Sequence, residues 1–246
     1  VDYSYYLGPN YRDYYRPICK TSTIVSNHVS WMDAIILLKT HHPAFAADKG
    51  MATTPLFATL IWALDSIYIP RGGGKADASS RQEALRIIQE RQELIEHEGG
   101  YSPIAIFPEG STSNGTGMTK FKQGAFKSER RVQPILLKYP QNTMVSLAFE
   151  VVEMLPLWIL QLSGCCYNVE VGVMPEFEPN EYLFDTHADK GNDRWEIYAW
   201  AVRDAMRKAG GFEDCQMPHR VKMQYEDYMQ MRTGAMHPTE IFAEYQ

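Results

Sequence analysis

No apolar run in this sequence is a clean membrane span. MATTPLFATLIWAL at residues 51–64 is too short and is followed by Asp65. MVSLAFEVVEMLPLWILQL at 144–162 is broken by Glu150, Glu153 and Pro156, whereas a spanning helix needs ~20 predominantly apolar residues. The first window is expected to pack in the core. The second reads equally as a core element or an interfacial one, because LPLWILQL sets Trp158 among leucines. Cysteine is scarce. Cys19, Cys165, Cys166 and Cys215 show no metal-ligand spacing, which points to a reducing compartment and away from a disulfide scaffold. Basic charge is in deficit, with 24 Lys and Arg against 30 Asp and Glu and a net charge of −6, which argues against general nucleic-acid binding. A Gly-Lys-Ser/Thr P-loop, a G-x-S-x-G nucleophile elbow, an EF-hand loop and internal repeats are all missing.

What is there is ordinary globular material. At 246 residues with 45% hydrophobic content, one large domain, or one with a small appendage, is expected. Strand-like stretches fall at 18–26, 44–48, 66–70, 103–107, 132–139 and 166–174, and helical ones at 33–40, 53–64, 80–98 and 192–209. Strands alternating with helices predict an α/β fold, a layered mixed sheet flanked by helices. Ser80 with Glu83 reads as a capping box, and Gly99-Gly100 as the stop of that helix. Arg91 interrupts its apolar stripe, so the stem is expected over apolar surface with the head in water. RGGGKADAS, from residue 71, reads as a flexible loop. The aromatic stripe at 195–206 reads as core. The Tyr-rich start and the tail after 217 carry no clear pattern.

Three constellations carry chemistry. In NHVSWMDAI, residues 27–35, His28 and Asp33 lie five apart, too far to be neighbours on one regular helix face. They can meet only if the chain bends. Ser30 and Asp33 form a capping-box pattern that would start a helix near Trp31, leaving His28 on the preceding loop, able to fold back. Taken alone, this pair reads better as an ordinary cap beside an ordinary loop histidine, because isolated His/Asp pairs are common. Second, FPEGSTSNG follows an apolar strand, and a Gly-rich turn there can present N–H groups to an anion. Glu109 would repel that anion, so it is expected to orient a cation or a hydroxyl. Asn114-Gly115-Thr116 is a glycosylation-type sequon and is read as part of this turn. Third, Lys120, Lys122, Lys127, Arg130, Arg131 and Lys138 are opposed only by Glu129, a local excess that suits a phosphate-bearing ligand or simply a solvated face.

Together these blocks resemble the lysophospholipid and glycerolipid acyltransferase family. Its four blocks appear in order: His-x4-Asp at His28–Asp33, a strand ending in Arg in IYIPR ending at Arg71, Phe-Pro-Glu-Gly at Phe107–Gly110, and a proline-containing strand in VQPILL at 132–137. The third block with its FKQGAF extension is most similar to the lysophosphatidylcholine acyltransferase branch. Ser111 stands where many members have threonine, and the loop after Arg71 is unusually glycine-rich.

The resemblance implies acyl transfer from acyl-CoA to a lysophospholipid hydroxyl. His28 would be the general base and Asp33 its orienting acid. Arg71, Glu109, Gly110, Ser111 and Lys122 would place the acceptor. No metal or prosthetic group is implied. The expected partners are acyl-CoA, a lysophospholipid and a membrane surface, with no nucleic acid. The expected location is the endoplasmic reticulum or a related endomembrane, with the site facing the cytosol. The expected organisation is a lead-in at 1–20 following a removed membrane segment, an acyltransferase domain at 21–215 and an unassigned extension at 216–246. Glycerol-3-phosphate or lysophosphatidate acylation shares every block. A silent lipid-binding module and a thioesterase are remoter alternatives.

Overall fold

The computed structural model describes residues 1–49, 53, 55–70, 78–140, 154–164, 167–215, 219–229 and 237–243. Its centre is a six-stranded sheet. In chain order the strands are β1 (Thr23–Ser26), β2 (Ala44–Asp48), β3 (Ile67–Ile69), β4 (Ile104–Ile106), β6 (Val132–Lys138) and β7 (Glu170–Val173), in spatial order β3-β2-β4-β1-β6-β7. All neighbours are parallel except β6 and β7. The short β5 (Gly117–Met118) pairs separately with β8 (Glu213–Asp214).

Period-2 alternation divides the core between two faces. Val25, Val132 and Leu136 point to a large cluster with α7 (Arg194–Gly210), while Ile24, Ala105, Ile135 and Leu137 point to a second with α2 (Met32–His41). The expected mixed, helix-flanked α/β architecture is therefore present. The Tyr-rich start belongs to the first cluster. There Tyr3 caps α1 (Ser4–Leu7), and Tyr3, Tyr6, Leu7 and Tyr11 are buried. The tail forms α8 (His219–Met229) and α9 (Pro238–Ala243), which pack on each other.

Several local expectations change. The helix expected from Ser80 is α4 (Ala78–Glu98), so Ser80 lies inside it. Its stop is as read: Gly99 takes φ +66°, and its N–H bonds Ile95 O at 3.1 Å. The Arg91 guanidinium bonds Asp65 and lies 4.4 Å over Tyr101 instead of reaching water. In α3 (Pro55–Ala63) Ile61 is buried, but Trp62 is 81% exposed. That helix lies against β2, next to the edge strand β3. α5 (Met154–Leu162) buries Leu157 and Gln161 and exposes Ile159, Leu160 and Leu162. The glycine-rich loop after Arg71, most of the 144–162 window and the Cys165-Cys166 pair lie outside the described residues. Among the described residues no helix is long and apolar enough to cross a membrane.

Candidate active site

β1 and β4 are adjacent and parallel, so the loops at their carboxyl ends meet. One carries His28 and the other Phe107–Gly110. The first loop is forced by Asn27. Where β1 ends, the Asn27 side chain continues the ladder, donating to Leu137 O at 2.8 Å and accepting from Leu137 N at 2.8 Å. The side chain stands in for the next rung of backbone, and the main chain is released from the sheet one residue before His28.

The bend expected between His28 and Asp33 is the observed one. Residues 27–30 are non-helical and α2 begins at Met32. The acidic half of the capping pattern forms: Asp33 Oδ2 accepts from Ser30 N at 2.9 Å and also from Val29 N at 2.6 Å. The Ser30 hydroxyl contributes only a long contact from Met32 N, 3.4 Å. The same Oδ2 lies 2.8 Å from His28 Nδ1. A carboxylate only accepts, so Nδ1 donates and Nε2 keeps the ring's lone pair. Phe107 stacks on the imidazole with centroids 4.1 Å apart and planes 15° from parallel, fixing its orientation. The His28 side chain is 22% exposed against 0% for Asp33. The pair is thus a supported acid beneath an accessible base.

Glu109 is the surprise of the second loop. It is 1% exposed, and its oxygens accept from His28 N at 3.1 Å, Thr119 N at 3.0 Å and Thr119 Oγ1 at 2.8 Å. Burial pushes its carboxyl above the usual carboxylate range, with the Thr119 and His28 N–H groups working against that shift. What it orients is therefore the His28 backbone and the Thr119 hydroxyl. Gly110 has φ +78°, a conformation strained for any side chain, and the Lys122 side chain lies across it where a Cβ would sit. Ser111 Oγ accepts from Lys222 Nζ at 3.2 Å. His28, Asp33, Glu109, Gly110, Ser111 and Lys122 therefore share one end of the sheet. Arg71 lies outside the described residues.

The basic stretch is divided between paired and exposed residues. Arg130 pairs with buried Glu96, and Arg131 with Glu176 and Glu178. These charges serve the fold, and only Lys120, Lys122, Lys127 and Lys138 remain on the surface. Sequence reading missed four contributors: Asn27, Thr119, Lys222 and Tyr139, whose hydroxyl bonds Asp33 Oδ1. Burial first, then the Asp33 charge, raises the Tyr139 phenol far above its usual range, so it stays a donor. Only Asn27, a polar residue at a strand's end beside His28, left a local signal.

A histidine held by a buried aspartate at the carboxyl ends of parallel strands, beside a tight Phe-Pro-Glu-Gly turn, has the parts that general-base chemistry needs. The sequence matches the Acyltransferase family over residues 17–145, and the chain belongs to that family. It is 32% identical to a lysophosphatidylcholine acyltransferase of Drosophila melanogaster over 192 residues, 76% of this chain and 33% of that protein. It is 31% identical to human lysophosphatidylcholine acyltransferase 1, covering 77% of this chain and 34% of that protein. Against a lysophospholipid acyltransferase of Arabidopsis thaliana the identity is 27%, over 78% of this chain and 45% of the relative. The chain thus spans less than half the length of these relatives. Among solved structures it is similar to a 1-acyl-sn-glycerophosphate acyltransferase from Thermotoga maritima, with TM-score 0.48 and 16% identity over 79% of this chain and 67% of that one.

Proposed function

We propose that this chain transfers a fatty acyl group from acyl-CoA to the free hydroxyl of a lysophospholipid, with a lysophosphatidylcholine-like acceptor favoured. The observation that carries the reading is the His28–Asp33 pair, accessible on the base and buried on the acid, in a member of the acyltransferase family. An alcohol is a weak nucleophile at neutral pH. His28 Nε2 takes its proton as the oxygen attacks the thioester carbonyl. Asp33 holds the tautomer and stabilises the imidazolium. Collapse of the tetrahedral intermediate breaks the C–S bond, and the imidazolium returns the proton to the departing coenzyme thiolate. No acyl-enzyme and no resident cofactor enters this scheme.

In this reading Glu109 acts by holding the His28 loop. Gly110, Ser111 and Lys122 form the wall that receives the acceptor, and Arg71 is a fourth acceptor-binding residue in this reading. The reaction takes place at a membrane surface, because both substrates partition there, and the proposed setting is a cytosol-facing endomembrane such as the endoplasmic reticulum. The exposed Ile35, Ile159, Leu160 and Leu162 support a lipid-facing surface.

The test is a panel of lysophospholipid acceptors, lysophosphatidate and glycerol 3-phosphate with one long acyl-CoA, using purified protein in mixed micelles. Acyl transfer is expected, falling by ~2–4 orders of magnitude in His28→Ala with the melting temperature kept. A strong preference for lysophosphatidate would move the acceptor assignment. Coenzyme A release without any acceptor would indicate a thioesterase. Full turnover by folded His28→Ala would remove the mechanism.

A further inference from the structure

The C-terminal segment reaches the site through one side chain. Lys222, on the first turn of α8, donates from Nζ to Thr112 O and, at 3.2 Å, to Ser111 Oγ. Its neighbour Val221 is 3% exposed and seats the helix. Upstream, buried Arg203 bonds Met118 O, Thr119 O, Asp214 and Cys215 O, tying residues 214–215 to the segment whose Thr119 bonds Glu109. Ser113 N donates to His28 O at 2.7 Å, so the turn that Lys222 grips is also bonded to the loop carrying the base.

An ammonium has no acceptor. Ser111 Oγ must therefore receive the Lys222 hydrogen, and its own O–H points away from Lys222. The Lys122 side chain lies across the adjoining Gly110. Both substrates of the proposed reaction carry phosphate, an acceptor for the outward-facing Ser111 hydroxyl.

We propose that α8 completes the substrate site, with Lys222 a positioning residue that fixes Ser111 as a hydrogen-bond donor to a phosphate of the substrate. The proposal rests on the acyltransferase reading for the identity of that substrate, and on the Lys222–Ser111–Thr112 geometry for everything else.

The experiment compares Lys222→Ala, Lys222→Arg, Ser111→Ala and the Lys222→Ala/Ser111→Ala double variant in the full chain, with palmitoyl-CoA and lysophosphatidylcholine. Lys222→Ala is expected to raise one KM roughly tenfold, the scale of a charge-assisted hydrogen bond, with a much smaller change in kcat. Lys222→Arg should recover part of it. The double variant should be no worse than the poorer single one, as coupled neighbours behave. A change in the lysophospholipid KM places the phosphate on the acceptor, and a change in the acyl-CoA KM places it on the coenzyme. Additive losses, or a lower melting temperature with both KM values unchanged, overturn the proposal. Ser111→Ala leaves α8 untouched and tests the same phosphate contact should Lys222→Ala fail to fold: a wild-type KM there also overturns it. Calorimetric binding of inorganic phosphate needs no turnover. Binding to wild type that is lost in Lys222→Ala supports the proposal even if no acceptor is acylated, a result that would sink the acyltransferase reading alone. Equal binding by both proteins, or none by wild type, overturns it.

Discussion

Asp33 is fully buried, yet each of its oxygens is satisfied: Oδ2 by His28, Val29 and Ser30, and Oδ1 by Tyr139. A buried carboxylate holds its charge only when donors replace water, so the donors to Asp33 are as much a part of the base as the imidazole. Tyr139→Phe deletes one and leaves the ring. It should cost about 1–3 kcal/mol, the range for an unsatisfied buried group, read as a lower melting temperature. Because the phenol stays protonated through the working range, the loss should be the same at pH 6 and pH 9. Turnover should fall less than in His28→Ala, since the base itself remains. A Tyr139→Phe protein with wild-type stability and kcat would show that the backbone N–H groups alone hold Asp33.

At the scale of elements, α7 holds the start of the chain through Asp204. Asp204 accepts from Tyr6 Oη at 2.7 Å, from Arg207 Nη2 at 2.9 Å and from Lys208 Nζ at 2.7 Å. Burial alone would push the Asp204 carboxyl up. The hydrogen bonds from Lys208, Tyr6 and Arg207 outweigh it and hold the pKa below the usual range. A depressed folded pKa stabilises the native state above the unfolded value and loses that stabilisation as pH falls through the folded value. Asp204→Asn should therefore melt below wild type at pH 7. The gap should close as the pH drops below about 4, the unfolded aspartate pKa. A gap that stays constant with pH would mean that Asp204 acts by shape, not charge. The elements themselves were largely legible. AFAAD is β2 residue for residue, and the aromatic stripe of α7 is core. The start of α4 differs from the capping-box expectation, since Ser80 and Glu83 both lie inside the helix that begins at Ala78.

For the whole molecule, the proposal that one surface meets lipid rests on α2 and α5. α2 and α5 meet through Trp31, whose Nε1 donates to Gln161 Oε1 at 2.6 Å and whose ring lies 5.5 Å from Trp158. Trp158 is thus drawn toward the site, and the outward face of α5 is Ile159, Leu160 and Leu162, with Ile35 exposed on α2. Ile159, Leu160 and Leu162 changed together to serine should weaken liposome co-sedimentation at every salt concentration, because the lost contribution is apolar burial. Arg130 and Arg131 are consumed by internal pairs, so the preference for anionic over neutral liposomes should be modest, and salt should screen it. A folded triple variant that still sediments fully would return α5 to a purely structural part.

Sequence by itself determined the alternation of strands and helices, the position of the bend between His28 and Asp33, and the four family blocks in order. These are local signals: periodicity, capping residues and short motifs within a few positions of one another. Tertiary structure alone decided the partners. Tyr139 lies 106 residues from Asp33 and Lys222 lies 111 from Ser111, and no spacing rule reaches that far. It also decided which charges face water. Arg131 and Lys127 look alike on a line of text. Only the fold brings Glu176 and Glu178 to Arg131 and leaves Lys127 exposed, because burial makes an unpaired charge too costly to keep and the carboxylates that pair it come from another strand's end.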